Sequence, residues 1–203
     1  PARSMHPRVL VTAGPTHEPI DPVRYIANRS SGRMGIALAQ ASIERGWPTT
    51  LLLGPTAIQP PECSQLRTLR FQTASDLRQL LADEWPRHDV LFMAAAVADF
   101  TPANSSKHGK LKRSAAGYTL ELHSTPDLLE ELAQRSRPDQ RLIGFALGPA
   151  GRLLLSAARD RGSGVAATAF GPLLAPDRGL AEPVFPCSTF LPAEVLLRYR
   201  LLA

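Results

Sequence analysis

The chain has 203 residues, 44% of them hydrophobic, and its 23 Lys and Arg residues exceed its 18 Asp and Glu residues to give a net charge of +5. This length suffices for one well-buried domain, and no run of about 18 apolar residues is present to cross a membrane. The basic residues are scattered over predicted helix faces without interleaved aromatic residues, so a small polyanionic substrate is favoured over a nucleic acid.

The two cysteines, Cys63 and Cys187, lie far apart and form no metal-ligand motif, which favours a reduced cytoplasmic protein. The first residues lack the apolar core of a secretory signal. We expect residues 1–7 to be a disordered start and residues 8–203 to form a single domain.

Strands and helices alternate along the chain. A helix over residues 32–45 is indicated by apolar side chains at helical spacing, and Gly46 ends it. A second helix is predicted from a Ser75 cap to Trp85, and a third opens at Pro126 and Asp127 after a Ser124-Thr125 cap and ends before Pro138. Strands are predicted at residues 8–13, 49–53, 69–71, 90–95, 118–122 and 142–146.

The last quarter of the chain continues this alternation. We predict a helix through Arg159, strands at residues 165–169 and 187–190, and a terminal helix from Pro192. The alternation predicts a Rossmann-like, three-layer αβα fold around a mostly parallel sheet. Residues 101–124 interrupt the pattern with polar and basic residues, so they are predicted to form a basic flap after a central strand, although a plain surface loop is the alternative.

An unusually long loop joins the first strand to the first helix. Such connections typically take about 2–6 residues, and the carboxyl end of a strand in an open α/β sheet is where ligands bind. Ser30 and Ser31 occupy predicted N-cap positions, and Gly32 and Gly35 allow a phosphate to approach unpaired backbone N–H groups. The alternative is that Ser30-Ser31-Gly32 only caps the helix.

Three segments carry a family resemblance. The first comprises Thr-Ala-Gly-Pro-Thr at residues 12–16, Asp-Pro-Val-Arg-Tyr-Ile at 21–26 and Asn-Arg-Ser-Ser-Gly at 28–32. The others are Ala-Ala-Ala-Val-Ala-Asp-Phe at 94–100 and Lys-Leu-Lys-Arg at 110–113. Over residues 8–145 the chain resembles the phosphopantothenoylcysteine synthetases, the phosphopantothenate–cysteine ligases of coenzyme A biosynthesis.

The resemblance implies a two-step reaction. The carboxylate of 4'-phosphopantothenate attacks the α-phosphate of a nucleotide, usually CTP with Mg²⁺, to give an acyl-nucleotide and pyrophosphate. The amine of L-cysteine then displaces the nucleotide monophosphate. Neither step needs a protein nucleophile, so alignment and charge neutralisation are the enzyme's task. Among the histidines only His17, in the long loop, is a candidate worth testing, and no metal ligands are evident.

The resemblance also assigns residue roles. Asn28 is implied to hold the acyl carbonyl in the second step, with a simple turn-forming Asn as the alternative. Lys110 is implied to close on the triphosphate, with Lys112 and Arg113 adding positive potential. The substrate site is assigned to Arg24, Asn28, Ala95 and Ala96. The nucleotide site is assigned to Gly14, Ser30, Ser31, Gly32, Ala95, Ala96, Asp99, Lys110, Lys112, Pro126, Asp127, Leu128, Leu129 and Phe145.

The chain departs from the family pattern after Phe145. It has Leu147-Gly148-Pro149 where an acidic residue is common, and Arg159 and Arg161 near the position of nucleotide-contacting lysines. Arg does not simply replace Lys as a point charge. The nucleotide and the retention of turnover therefore stay open, and a degenerate relative that only binds is the alternative. A dinucleotide-dependent oxidoreductase is disfavoured because the first turn lacks Gly-x-Gly-x-x-Gly.

The resemblance implies partners as well. Family members are typically homodimers, and the Pro60 region or the strand at Phe71 could supply an apolar interface. Many bacterial relatives carry a fused flavin-dependent decarboxylase domain, so a separate decarboxylase is a candidate partner. No nucleic acid or membrane partner is expected.

Overall fold

The structure, a computed structural model, describes residues 6–105, 109–115, 117–147, 152–158 and 166–172, with side chains as far as residue 145. The helices are α1 (Arg33–Glu44), α2 (Ala74–Glu84) and α3 (Leu128–Arg135), and a 3-10 turn spans Trp85–Arg87. The strands are β1 (Val9–Ala13), β2 (His17–Pro19), β3 (Tyr25–Ala27), β4 (Thr49–Leu53), β5 (Leu66–Arg70), β6 (Val90–Met93), β7 (Phe100–Pro102), β8 (Leu122–Ser124), β9 (Arg141–Leu147), β10 (Arg152–Ala158) and β11 (Ala166–Pro172).

Seven strands form the main sheet in the order β11-β10-β9-β6-β1-β4-β5. The five strands from β9 to β5 pair in parallel, whereas β10 and β11 are antiparallel additions at one edge. The chain runs outward from β1 to β5, then returns to β6 on the other side of β1, which is the Rossmann strand order. The predicted Rossmann-like, mostly parallel sheet is confirmed, and its switch point lies between β1 and β6.

Alternate residues of β1 pack against opposite layers. Val9, Val11 and Ala13 belong to a core cluster with Ile36 and Leu38 of α1. Side chains of opposite parity point to the other face of a strand. Leu10 accordingly packs in a second cluster together with leucines of α2 and α3. The sheet is therefore covered by α1 on one face and by α2 and α3 on the other, as the three-layer prediction requires.

The helix starts differ in detail from the predictions. The N-cap of α2 is Thr73 and not Ser75, because Thr73 and Asp76 form a reciprocal capping box. The N-cap of α3 is Asp127, whose carboxylate accepts from Glu130 N at 3.0 Å, so the predicted Ser124-Thr125 cap is wrong. Each true cap supplies an acceptor at the spacing that the first-turn N–H groups need.

The predictions for the later elements are partly wrong. Residues 152–158 form strand β10 and no helix through Arg159 begins there, because this segment pairs antiparallel with β9. The predicted strand at 118–122 shifts to β8, which pairs with β7. The elements predicted at 187–190 and from Pro192, with most of the predicted N-terminal segment, lie outside the described residues. None of the helices in the described part of the chain has the length and apolar character to cross a bilayer.

Candidate functional site

The loops that follow β1 and β6 are bound to each other at the switch point. Ala96 N donates to Gly14 O at 2.9 Å, and Thr16 N donates to Ala96 O at 3.2 Å. Both threonine side chains add to this contact: the Thr12 hydroxyl accepts from Ala95 N at 3.0 Å and the Thr16 hydroxyl from Ala98 N at 2.9 Å. We call residues 12–16 and 95–98 the switch loops, and these bonds hold them as one unit.

The start of α1 lies against the first switch loop. Gly32 has φ of 76° and Gly14 has φ of 83°, and a Cβ on Gly32 would lie 3.4 Å from the Gly14 Cα. A Cβ on Gly35 would lie only 2.4 Å from the Cβ of Ala13, so only glycine permits this close approach of helix and strand. The glycines therefore bring the N-terminus of α1 directly beside the switch loops.

The predicted serine caps of α1 are wrong. Gly32 is the N-cap residue, and it makes no side-chain cap hydrogen bond. The Ser30 hydroxyl accepts from Gly32 N at 3.3 Å and the Ser31 hydroxyl accepts from Arg33 N at 3.4 Å, both long for such bonds. Gly32, with its left-handed backbone, itself occupies the N-cap position, and both serines precede it. The first turn of α1 also carries no acidic residue.

Asn28 reaches the second switch loop. Its Nδ2 donates to Val97 O at 2.8 Å across 69 residues of sequence. A carbonyl oxygen only accepts, so this bond fixes which end of the amide faces Val97. Asn28 is exposed, and its amide retains a second N–H and a carbonyl oxygen. Asn28 is thus attached to the loop that also contains Ala95 and Ala96.

The segment before α3 is attached to the same loop. Thr125 N donates to Asp99 O at 2.9 Å, and the Thr125 hydroxyl donates to Ala98 O at 2.6 Å. These bonds bring the exposed Pro126 and Asp127 next to Asp99, whose side chain is also exposed. The Asp127 carboxylate is occupied by capping α3.

Three of the predicted nucleotide residues lie in or against the core. Leu128 is 3% exposed in the cluster beneath α2 and α3, so its side chain cannot line a ligand surface. Leu129 packs over Gly144, where a Cβ would lie 2.7 Å from its Cδ2. Phe145 packs against the cluster on the α1 face of the sheet. The side chains of Leu128 and Phe145 therefore lie on opposite faces of the sheet.

An open recess of about 690 Å³ is lined by the segment around Lys110 and by Arg24, in the turn between β2 and β3. The three cations Lys110, Lys112 and Arg113 are exposed at its wall, together with Arg24 and Tyr118. Arg24 is charge-paired with Asp21, whereas the other cations face solvent. The recess is therefore strongly positive, which suits a polyanion.

His17 packs within the β2–β3 hairpin. Its ring stacks on Tyr25 with centroids 3.8 Å apart and an angle of 10° between planes. Burial lowers the pKa of His17, which keeps the imidazole neutral near pH 7. The structure brings His17 against Tyr25 and not against Asn28, so its catalytic candidacy gains no support from geometry.

Sequence reasoning missed four residues that build the site. Thr12 and Thr16 are polar residues with fully buried side chains, and Thr56 donates from its hydroxyl to Ser31 O at 2.7 Å. Asp21 is 4% exposed in the turn between β2 and β3. Thr12, Thr16 and Asp21 lie within the long motif, whereas no sequence signal marks Thr56, whose partner Ser31 is 25 residues away.

No group of three or more His, Cys, Asp or Glu side chains is placed to hold a metal ion within the described ranges. Mg²⁺ prefers substrate phosphates with one or two carboxylates over a dedicated protein cage. A Mg²⁺ ion that arrives on a triphosphate would therefore need few ligands from the protein.

Comparisons with known proteins identify the family. Residues 5–163 match the family described as the DNA/pantothenate metabolism flavoprotein C-terminal domain. The chain is 41% identical over 138 residues to the coenzyme A biosynthesis bifunctional protein CoaBC of Bacillus subtilis, covering 68% of this chain and 33% of that one. It is 42% identical over 140 residues to a cysteine/cysteine sulfinic acid decarboxylase from an unknown prokaryotic organism, covering 69% of this chain and 38% of that one.

The solved structure of the C-terminal domain of a coenzyme A biosynthesis bifunctional protein CoaBC matches with a TM-score of 0.61 and 27% identity, covering 83% of this chain and 87% of that one. The chain spans about a third of the length of the curated relatives it matches, 33% and 38% for the two described above. The resemblance drawn from the motifs is confirmed at the level of the family. The chain belongs to the family of DNA/pantothenate metabolism flavoprotein C-terminal domains.

Proposed function

We propose that the chain is a phosphopantothenate–cysteine ligase domain, which joins 4'-phosphopantothenate to L-cysteine through an acyl-nucleotide in coenzyme A biosynthesis. The observation that carries the proposal is the hydrogen bond from Asn28 to the second switch loop, directly after a hairpin whose Arg24 lines a cationic recess. This arrangement offers one amide for an acyl group and several positive groups for phosphates.

In the first step a carboxylate oxygen of 4'-phosphopantothenate attacks the α-phosphorus of the nucleotide. A new P–O bond forms as the bond to the bridging oxygen of the β-phosphate breaks, and pyrophosphate leaves. The enzyme must bring two anions together, so it must offset the electrostatic repulsion between them. Lys110 and Lys112 at the recess would offset the charge that develops on the leaving pyrophosphate. The start of α1 would bind a phosphate through backbone N–H groups.

In the second step the cysteine amine attacks the acyl carbonyl, the C–O bond to the nucleotide breaks, and the monophosphate leaves. Asn28 would donate its second Nδ2 hydrogen to the carbonyl oxygen as negative charge develops there. The bond from Nδ2 to Val97 O, at 2.8 Å, holds the amide in the orientation that this role needs. An oriented donor costs no reorganisation when the reaction occurs.

We propose CTP, carried with Mg²⁺, as the nucleotide. The small side chains of Ala95 and Ala96 leave space for a nucleotide against the switch loop, and Asp99 is exposed and would reach a ribose or a base. The departures after Phe145 fall where the structure describes no side chains, so the choice of nucleotide rests on the family resemblance.

Partners are also proposals. Phe71 is 6% exposed within the core, so its side chain is unavailable for the predicted homodimer interface. Large apolar side chains are exposed instead around the hairpin and the flap, at Val23, Tyr25, Phe100, Tyr118 and Leu122. A homodimer through this surface would give twice the monomer mass in sedimentation velocity. A decarboxylase acting as a separate protein stays a further proposal.

One assay tests the proposal directly. The protein is incubated with 4'-phosphopantothenate, cysteine, Mg²⁺ and each nucleoside triphosphate in turn, and pyrophosphate and amide are measured separately. We expect both products, with CTP the best nucleotide. Pyrophosphate release with none of the nucleotides would overturn the ligase proposal, and pyrophosphate without amide would mean that the second step is lost.

Replacing Asn28 separates the two steps. We expect Asn28→Ala to release pyrophosphate but to accumulate the acyl-nucleotide, with amide formation lowered on the order of 10²-fold, the usual cost of one lost donor to a developing oxyanion. Rapid quenching and chromatography measure the intermediate. Gln79→Ala is the matched control, since Gln79 is an exposed amide whose partner is Asp83 on α2. Unchanged amide formation in Asn28→Ala would reject the role of Asn28.

A further inference from the structure

Asp21 is a buried carboxylate at the turn between β2 and β3. Its Oδ1 accepts from Val23 N at 2.9 Å and from Arg24 N at 2.8 Å, which closes the turn. Its Oδ2 accepts from the Arg24 guanidinium, with Nε at 2.8 Å, and from Leu111 N at 3.1 Å. The two oxygens therefore have separate tasks: Oδ1 forms the local turn, and Oδ2 binds a segment 90 residues away.

Leu111 is held at both of its backbone groups. Its N–H donates to Asp21, and its carbonyl oxygen accepts from Arg24 Nη2 at 2.9 Å. Leu111 stands between Lys110 and Lys112, so the backbone that carries both cations is fixed to the β2–β3 turn. Asn28 follows β3 directly, which means that one short hairpin connects the proposed acyl-binding amide to the proposed phosphate-binding lysines.

The tether is electrostatically strong. Hydrogen bonds from the Arg24 guanidinium hold the pKa of Asp21 well below its usual range, against the opposing effect of burial. The same pairing raises the pKa of Arg24. Asp21 thus remains ionised at any pH where the protein works, and charge-assisted bonds of this kind are roughly twice as strong as neutral ones.

The lysines themselves are weakly held. Lys110, Lys112 and Arg113 are exposed, and long flexible side chains lose conformational freedom when they bind a ligand. A fixed backbone limits the positions that the two ammonium groups can occupy. Displacement of a positioned group by about 1 Å can cost on the order of 10²-fold in rate. Fixing Leu111 is therefore a direct way to place both charges.

We propose that Asp21 is a positioning residue, which clamps Leu111 through Oδ2 and thereby sets Lys110 and Lys112 against the nucleotide triphosphate in the first step. This inference rests on the proposed ligase function. Asp21 touches no reacting atom, and its effect passes through Leu111 and Arg24.

Asp21→Asn tests the clamp without removing the turn. The retained Oδ1 can still accept from Val23 and Arg24, whereas an NH₂ group in place of Oδ2 cannot accept from Leu111 N or from the guanidinium. We expect pyrophosphate release to fall about 10-fold or more, mainly through a higher KM for the triphosphate. Conversion of preformed acyl-nucleotide by cysteine should stay within about twofold, since Asn28 is anchored separately at Val97.

Hydrogen exchange on the full chain gives the second readout. The Leu111 amide should exchange at least about 10-fold faster in Asp21→Asn, whereas the amides of β1 should not change. Asp83→Asn is the matched control, because Asp83 is an exposed carboxylate whose bonds are to Gln79 on the same helix. It should alter neither readout.

The outcomes separate the two proposals. If the wild-type chain is active and Asp21→Asn releases pyrophosphate at the wild-type KM and rate, the positioning role is overturned and the ligase function stands. Equal losses in both steps, with faster exchange in β1, would show a merely structural residue and would also overturn it. If the wild-type chain releases no pyrophosphate, the ligase function fails, and the positioning role fails with it.

Discussion

The two ends of the parallel sheet are built on different principles. At the carboxyl end, backbone groups and buried hydroxyls join the switch loops, and the charged side chains around them are exposed. At the amino end, side chains are bonded to one another and to the backbone in a closed cluster. Gln140 donates from Nε2 to Trp85 O at 2.9 Å and to His88 O at 2.8 Å.

The amino end leaves little polar capacity for a ligand. The Gln140 carbonyl accepts from Arg137 N at 2.8 Å, which uses the remaining side of that amide. Arg8 and Asp89 form a bidentate pair with distances of 3.1 and 3.0 Å. Both ends contain polar side chains. At the amino end these side chains already have hydrogen-bond partners, whereas at the carboxyl end the charged side chains are exposed to solvent. Substitutions at the open end should therefore alter activity, and substitutions at the closed end should alter stability.

Lys110→Gln should give the largest effect. We expect pyrophosphate release to fall on the order of 10²-fold, because one positive contact to the leaving group is lost. The free energy of unfolding in urea should change by less than about 0.5 kcal/mol, since the side chain is exposed. Arg87→Gln, an exposed cation in the 3-10 turn, is the control. A normal rate of pyrophosphate release would remove Lys110 from the mechanism.

Gln140→Ala should show the opposite pattern. Its loss leaves buried carbonyl groups of Trp85 and His88 without their amide donor, which should lower the free energy of unfolding by about 2 kcal/mol. Activity per folded molecule should stay at the wild-type level. Urea unfolding and the coupled assay measure the two quantities, with exposed Gln79→Ala as control. Lost activity at full stability would contradict the division between the ends.

The smallest effect is a pH dependence of stability from His88. Its Nδ1 lies 2.6 Å from Glu84 O, an acceptor, so Nδ1 carries the hydrogen and Nε2 accepts from the Thr50 hydroxyl at 3.0 Å. Burial lowers the pKa of His88 from 6.5, so the unfolded chain binds more protons below that value. Stability should be fully present above pH 6.5 and be lost progressively as the pH falls toward the folded-state pKa.

Urea unfolding of wild type and His88→Gln at about pH 7.5 and about pH 5.5 measures this contribution. The wild-type chain should lose more stability between the two values than the variant. An equal loss in both proteins would show that His88 contributes nothing to the pH dependence.

The sequence predicted those parts of the fold that buried apolar runs determine. The strand predicted at residues 49–53 is β4, and the predicted helix at 32–45 is α1 with one residue less at each end. The prediction for residues 152–158 was wrong, because a short apolar run such as Leu153-Leu154-Leu155 fits a helix or a strand equally. These residues form a strand because they pair with β9, and the local sequence pattern does not predict that pairing.

The site could be predicted as far as its motifs reach. The motifs named Asn28 and residues 94–100, which the hydrogen bond from Asn28 to Val97 joins, but they did not show that Leu128 faces the core. The task of Asp21 depends on Leu111, 90 residues later, and on which oxygen each donor reaches. Such assignments need coordinates because they depend on distances between segments that the sequence does not relate.

The central position of β1 has a consequence for the order of folding. Val9 pairs with Thr49 on one side and with Val90 on the other, so this strand acquires its second neighbour only after most of the first half of the chain has been made. Pairings between such distant residues form slowly, and an apolar strand with an open edge invites association with other chains. During synthesis, therefore, the switch loops cannot bind each other until β6 and residues 95–98 have been made.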